Sequence, residues 1–212
     1  MPPAGLSRDA VLRAAVALAD ADGLETLSMR RLAGELGVEA MSLYNHVASK
    51  RDLHEGMVER VWDEVDLATD EPDWRARMHR ICRSARDSMV AHPWFFSFPV
   101  TYGGMNRIAM IEAMLATMRG AGIPADAVYH AQHIIDGHVF GYSWQDTDYS
   151  NGPALEERAD EMLSRIPAEQ YPHLMEHAHQ HMADTPAGSG FDMGLDILFD
   201  ALEARRESPA HD

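Results

Sequence analysis

Apolar side chains recur every three to four residues along almost the whole chain, and no stretch alternates in the two-residue rhythm of a half-buried strand, so an all-α fold is expected. Val11, Ala15, Leu18 and Ala19 place one buried stripe on a helix over 7–23. Leu32, Ala33 and Leu36 mark a short helix opened by Ser28, and Gly37 just past it can take a positive φ at no steric cost. Val38 turns the corner. Leu43 and Val47, four apart, put one face of a second short helix (40–47) on the same core. Ser49 then opens a longer helix to about residue 66, with Asp52 as its capping-box partner. Leu53, Met57, Val61 and Val65 line one side of that helix, widened by Val58 and Trp62.

A polar turn with Pro72 (69–73) separates this head, residues 1–67, from a second helical unit, residues 72–212. There Trp74, Met78, Ile81, Ala85 and Met89 form a stripe that ends at His92-Pro93. An aromatic, turn-rich segment (94–104) precedes a helix over 106–119, for which Ile108, Ile111, Leu115 and Met118 are the expected inner face. Pro124 opens the next helix, to about residue 144, carrying Val128, Ile135, Val139, Phe140 and Trp144. Further helices are expected over 154–164, over 171–182 and over 191–206. In the last, Phe191, Leu195, Leu198 and Leu202 make a near-heptad seam.

The two short helices carry the chemistry. In SMRRLAGELGVEAMSLYNHVASK (28–50) the face opposite Leu43 and Val47 holds Met41, Ser42, Tyr44, Asn45 and His46, groups suited to base edges and phosphates rather than to a core. That is the pattern of a helix-turn-helix, which lays its second helix in a DNA major groove. Lys50 and Arg51 stand at the N-terminus of the next helix, where a phosphate would sit well. From Ser7 to Trp62 the chain resembles the tetracycline-repressor (TetR-like) family of transcriptional regulators. The likeness resumes in FDMGLDILFDALEAR (191–205), which looks like the last helix of that family's dimerisation domain.

The resemblance implies a homodimeric regulator on double-stranded, palindromic operator DNA, most simply a repressor released by a small-molecule effector that the sequence does not identify. It implies a three-helix DNA-binding head and a helical-bundle domain for ligand binding and dimerisation. Position by position, it places Arg30 at a guanine edge, Ser28, Tyr44 and Lys50 at phosphates, His46 in the recognition helix near the DNA, and Leu43 as that helix's anchor to its own core. Ala40 stands where the tetracycline repressors have a base-reading glutamine, Met41 where they have proline and Asn45 where they have tryptophan, so helix placement carries over and operator sequence does not.

Charge adds a constraint. The formal net charge is −16, yet residues 1–51 hold six basic and six acidic groups, so the other 12 basic and 28 acidic side chains carry all of it. A neutral head on an acidic body can dock on DNA while the body repels it, which implies weak, salt-sensitive non-specific binding. Five arginines on the helix after the linker (Arg75, Arg77, Arg80, Arg83, Arg86) drift around its axis, which reads as solvated charge rather than a second DNA surface. The lone Cys82 excludes a disulfide framework, and with no leader and no apolar run of spanning length a cytoplasmic protein without membrane contact is expected.

Candidate effector-pocket residues are His92, Trp94, Phe96, Met110, Met114, Met118, His130, His133, His138 and Tyr142, polar anchors among aromatic and adaptable methionine walls. Each could equally belong to an ordinary bundle core. Gly137 and Gly141, four apart, would let a partner helix approach, and with Leu195, Leu198 and Leu202 they form the expected dimer interface. His173 and His177 have two-ligand spacing, with His179 and His181 beside them, but no cysteine or carboxylate motif joins them, so neither metal nor cofactor is implied. No nucleophile elbow, phosphate loop or metalloprotease motif supports an enzyme. A dimeric regulator without an effector stays open.

Overall fold

A computed structural model describes residues 6–99, 102, 104–151, 163–182 and 189–207. Among these the regular elements are all helical, with no strand. The head comprises α1 (Arg8–Asp22), α2 (Met29–Glu35), α3 (Ala40–Leu43) and α4 (Lys50–Asp63). The body comprises α5 (Trp74–Ala91), α6 (Gly104–Gly120), α7 (Ala125–Asn151), α8 (Pro172–Met182) and α9 (Ser189–Glu207), with a 3₁₀ turn over Pro93–Ser97.

Side-chain caps set the starts. Ser7, Ser28, Ser49 and Asp73 each accept the N–H three residues on, from Ala10, Arg31, Asp52 and Ala76. The capping box at Ser49 is displaced by one residue: Asp52 reaches back to the N–H of Ala48 (2.7 Å), not to that of Ser49. Gly37 takes φ 66° between α2 and α3. Gly56 marks where α1 and α4 cross, since a Cβ there would stand 2.6 Å from the Leu12 side chain.

The recognition segment departs from its expected length. Regular α-helix covers only Ala40–Leu43, and the N–H groups of Tyr44, Asn45 and His46 then bond to carbonyls three residues back, a tighter coil that carries Val47 to the core. Helix α4 likewise stops at Asp63 rather than near residue 66. There the Asp66 carboxylate accepts the Ala68 N–H (2.8 Å), and Ser84 accepts the Asp66 N–H, fixing the turn into the body with Ala68 at φ 48°.

In the body α5 and α7 form the centre, with α6 against both and α9 across α7 and α5. The buried face of α6 is Met110, Met114, Thr117 and Met118; Ile111 and Leu115 are half-buried and Ile108 is exposed, because α6 meets its neighbours about one residue-step around from the expected stripe. On α9 the buried residues are Phe191, Leu195, Phe199 and Leu202, a 3.6-residue stripe rather than a heptad seam, and Leu198 lies at its margin. Most of the expected 154–164 helix lies outside the described residues. Among the described residues no helix is long and apolar enough to cross a membrane.

Candidate nucleic-acid interface and interior cavity

Leu43 and Val47, both fully buried, pin the recognition segment to the head core, which turns its other face outward. Met41 is 72% exposed and Tyr44 45%, and Asn45 is exposed beside them. Ser42 and His46 are half-buried at the edge. Ala40 is half-buried against the core, so it stands at the rim of this face rather than at its centre. The Ser28 hydroxyl caps α2 and remains exposed.

The basic groups of the head divide sharply. Arg8 grips Asp52 with two bonds (2.7 and 2.9 Å) and donates to the His46 carbonyl (3.0 Å), clasping α1 to α4 and to the end of the recognition segment. Arg13 pairs with Asp9, Arg31 with Asp22, and Arg51 with Glu55. Arg8, with help from the Ala48 N–H, holds the Asp52 carboxyl below the usual carboxylate range. Arg30 and Lys50 are exposed and make no ion pair among the described residues. A cation whose only counter-ion is solvent is the kind that can exchange water and salt for phosphate or a base edge at little desolvation cost.

Between head and body sits a polar clamp. His92 places Nδ1 2.8 Å from Asp20 of α1 and Nε2 3.2 Å from Glu64 at the end of α4, while Trp94 Nε1 donates to the same Asp20 oxygen (2.6 Å). These two expected pocket residues therefore join the body to the head. Phe98 continues the contact, its ring tilted against that of His54 of α4 at 4.9 Å, and the His54 imidazole is pushed below its usual pKa by burial and by nearby Lys50.

The other expected pocket residues separate. Met110 and Met114 line a small interior space of about 10 Å³ with Trp62, Cys82, Asp136 and Phe140. Phe96 lines an adjoining apolar space of about 70 Å³, which shares Phe140 as a wall. Met118 is buried in the core. His138 lies 2.8 Å from the Phe191 carbonyl, stacks on the Phe191 ring and meets Tyr142 at a tilt, holding α7 to α9. His130 and His133 are exposed beside Tyr129, on the outer face of α7, and do not face the cavity: one helical step separates them from Ala131 and Ile135, which do enter the core.

Among the wall residues that the expected pocket did not include are Trp62, Cys82, Asp136 and Phe140, and Gln132 stands behind the wall against Asp136 and Met114. Gln132 donates to Asp136 (3.1 Å), and burial pushes the Asp136 carboxyl up despite Arg107, whose guanidinium lies 3.8 Å away and over the Trp62 and Phe140 rings. A signal was present: Gln132 and Asp136 interrupt the Val128–Ile135–Val139 stripe. Cys82 is buried beside them with its thiol pushed up to about 12, so it is an inert wall.

The expected dimer residues also divide. Gly137 and Gly141 have nothing within 4 Å of a built Cβ, on a face of α7 where Ile134 and Trp144 are exposed. Leu195 and Leu202 are instead buried within the subunit, and the exposed apolar residues of α9 are Met193 and Ile197. His173, His177 and His179 lie on exposed α8, and no group of three metal-ligating side chains forms among the described residues. His181 has no described side-chain environment.

Residues 11–57 match the family model for bacterial regulatory proteins of the tetR family, and residues 68–206 match the tetracyclin repressor-like C-terminal domain. The chain is 37% identical over 144 residues to the HTH-type transcriptional repressor DrrR1 of Streptomyces coeruleorubidus, a match over 66% of this chain and 53% of that protein; the chain thus spans about half of that relative's length. It is 27% identical over 205 residues to the class C tetracycline repressor of Escherichia coli, over 95% of this chain and 92% of that one. The crystal structure of ActR from Streptomyces coelicolor in complex with actinorhodin superposes with a TM-score of 0.78 at 27% identity, covering 97% of this chain and 100% of that one.

Proposed function

The chain belongs to the tetracycline-repressor family of transcriptional regulators, and from that premise we propose that it is a homodimeric repressor released from a palindromic operator by a small molecule bound in the body. It acts on DNA in the cytoplasm and is not an enzyme. Residues 1–67 form the DNA-binding unit and residues 72–212 the effector-binding and dimerisation unit.

The observation that carries this reading is the pairing pattern in the head. Four of the six basic groups in residues 1–51 are held by carboxylates, and the two left free, Arg30 and Lys50, flank the exposed Met41–Tyr44–Asn45 face. Arg30 reads a base edge; Lys50, Ser28 and Tyr44 hold phosphates; Met41, Ser42, Asn45 and His46 sit in the groove, with Ala40 at its rim. The dimer forms where Ile134, Gly137, Gly141 and Trp144 of α7 lie beside Met193 and Ile197 of α9, with half-buried Leu198 at the edge. Helix α4 is the lever, since Lys50 stands at one end and the clamp of Glu64, His92 and Asp20 at the other.

The similar protein ActR has been crystallised in complex with actinorhodin, which supports an effector in the body here. The small size of the interior space, about 10 Å³, favours a second reading, a dimeric regulator with no effector. Selecting an operator from random duplexes and titrating candidate compounds into the complex tests both. The expected result is a palindrome bound by two subunits and released by some compounds. A selected site without two-fold symmetry overturns the dimeric operator, and a compound that binds the body without altering operator affinity overturns release.

A further inference from the structure

A histidine ring carries one N–H when neutral and two when charged, and an ionised carboxylate accepts but does not donate. His92, 8% exposed, places Nδ1 2.8 Å from Asp20 of α1 and Nε2 3.2 Å from Glu64 just past α4. Both ring nitrogens therefore face acceptors. A neutral ring satisfies one carboxylate and turns a lone pair on the other, so only the imidazolium closes both contacts at once. The Asp20 oxygen that Nδ1 meets also accepts the Trp94 indole N–H (2.6 Å), which fixes it in place. Among the described residues Asp20 and Glu64 pair with no lysine or arginine, so His92 is the cation that joins them. The last charged groups of α5, Arg86 and Asp87, are engaged with Asp146 and with each other. Trp94 and Phe98 beside the ring are neutral, and His54 of α4 stands beyond Phe98.

We propose that His92 is a positioning residue for operator binding that works in its protonated form, so that the proton is itself an input to this regulator. The proposal rests on the DNA-binding reading above and adds a regulated joint to it. Asp20 lies on α1, and Glu64 follows α4, whose other end carries Lys50. With both bonds made, the head is held to the body through two helices, and the two heads of a dimer keep one separation. When the proton leaves, one bond is lost, a lone pair confronts a carboxylate, and the head turns about the bond that remains. A head already held in place loses less freedom on DNA than a loose one. Operator affinity is thus expected to fall as pH rises from 6 to 8, within the interval where histidine changes charge. Linkage makes the effect reciprocal, so operator binding draws protons onto the clamp.

The test is an anisotropy titration of the selected operator from pH 6 to pH 8 at fixed ionic strength, with the parent, His92→Gln and Glu64→Gln. Parent affinity is expected to fall about tenfold or more across the interval. His46 and His54 are present in all three proteins, so any slope they add is common to each. His92→Gln should keep only that common slope. Glu64→Gln is the sharper case. Its amide can donate to the bare Nε2 of a neutral ring or accept from a charged one, so the clamp closes with or without the proton. This variant should lose the same part of the slope yet hold near the parent's affinity at pH 6, which a merely structural contact would not produce. A DNA-free arm follows the indole N–H resonance of Trp94, assigned with Trp94→Phe, since that indole shares the Asp20 oxygen. The signal should shift between pH 6 and pH 8 in the parent and stay fixed in His92→Gln. Melting curves verify that the variants fold; should His92→Gln unfold, Glu64→Gln, at a half-exposed side chain, carries the comparison. The proposal is overturned if parent and His92→Gln share one slope, if the His92-dependent part of the affinity rises with pH, or if Glu64→Gln retains the parent's slope. A Trp94 signal that responds through His92 in a protein that selects no operator sinks the repressor reading and keeps the proton-dependent joint. An unmoved Trp94 signal with operator binding intact does the reverse.

Discussion

Head and body both carry arginines on helix surfaces, and they use them differently. On α5, Arg83 meets Asp192 (2.7 Å), His79 meets Asp196 (2.8 Å) and Arg75 meets Asp200 (2.6 Å), an antiparallel ladder along α9 whose aspartates recur every four residues. Arg80 ties Asp66 and Asp70 of the linker, and Arg86 ties Asp146 of α7. These groups fasten helices to one another. In the head, Arg8 and Asp52 do the same, but Arg30 and Lys50 are left to solvent. The densest run of basic residues, the five arginines of α5, lies in the body. Arg77 and Arg205 of the body likewise show no ion pair among the described residues. The proposed nucleic-acid surface is therefore set apart by unpaired cations together with the exposed Met41, Tyr44 and Asn45, not by unpaired cations alone.

The comparison breaks most visibly at the dimer face, since two heads on one duplex bind far more tightly than one. Ile197→Asp, at an exposed position of α9, is expected to give a folded monomer in sedimentation at micromolar concentration and to lower operator affinity by about a hundredfold or more. A dimer of unchanged affinity would remove this face from the interface. Next in size is Arg30→Ala, expected to cost on the order of 1–3 kcal/mol on the selected operator and to relax preference at one base pair per half-site. Lys50→Ala should weaken selected and scrambled duplexes alike and lower the log–log salt slope by about one unit per subunit. Anisotropy titrations at several salt concentrations separate the two, and a base-preference change in Lys50→Ala but not in Arg30→Ala reverses the assignment. Smaller again is Arg83→Ala. Its side chain is half exposed, so its pair with Asp192 contributes at most about 1 kcal/mol to stability, read by urea melts, and DNA binding should not move.

How legible this was depended on whether a residue's role is local. Caps at Ser28 and Ser49, the turn at Gly37 and the anchors Leu43 and Val47 depend on neighbours within four residues, and the sequence pattern located each of them. The α5 stripe was readable for the same reason. Roles set by another helix were not. A 3.5-residue spacing through Leu195, Leu198 and Leu202 looks like a seam, whereas Phe199 is the residue that α5 buries, with His79 and Trp74 against its ring. The α5 arginines read as solvated until the Asp192, Asp196 and Asp200 row is brought opposite them by the fold. His92 and Trp94 resemble pocket residues in sequence, and only the position of Asp20 on α1 turns them into a clamp. Gln132 and Asp136 were visible as polar interruptions of an apolar stripe; their meaning required Trp62 and Met114 from other helices.

The smallest expected effect tests the contact between lever and body. His54 is half-buried against Phe98, one helical turn from Lys50, and both burial and that ammonium favour its neutral form. Its folded pKa lies below the ordinary 6.5, so its contribution to stability is complete above that value and is lost as pH falls through the folded pKa. Asp52, also depressed, behaves in the same sense but in a lower window, beginning only below the ordinary carboxylate value of 3.8. Acidification from pH 7 to pH 5 therefore begins to withdraw the His54 contribution once below 6.5 and leaves the Arg8–Asp52 clasp in place. His54→Leu should flatten the fall in melting temperature over that interval by about one or two degrees, because the half-exposed site screens much of the effect. Lys50→Ala, which removes only the smaller of the two causes, should flatten it less. Melting curves of parent and both variants at half-unit pH steps measure this. An unchanged slope in His54→Leu would mean that the imidazole reaches solvent freely, and that Phe98 does not hold the lever helix against the body.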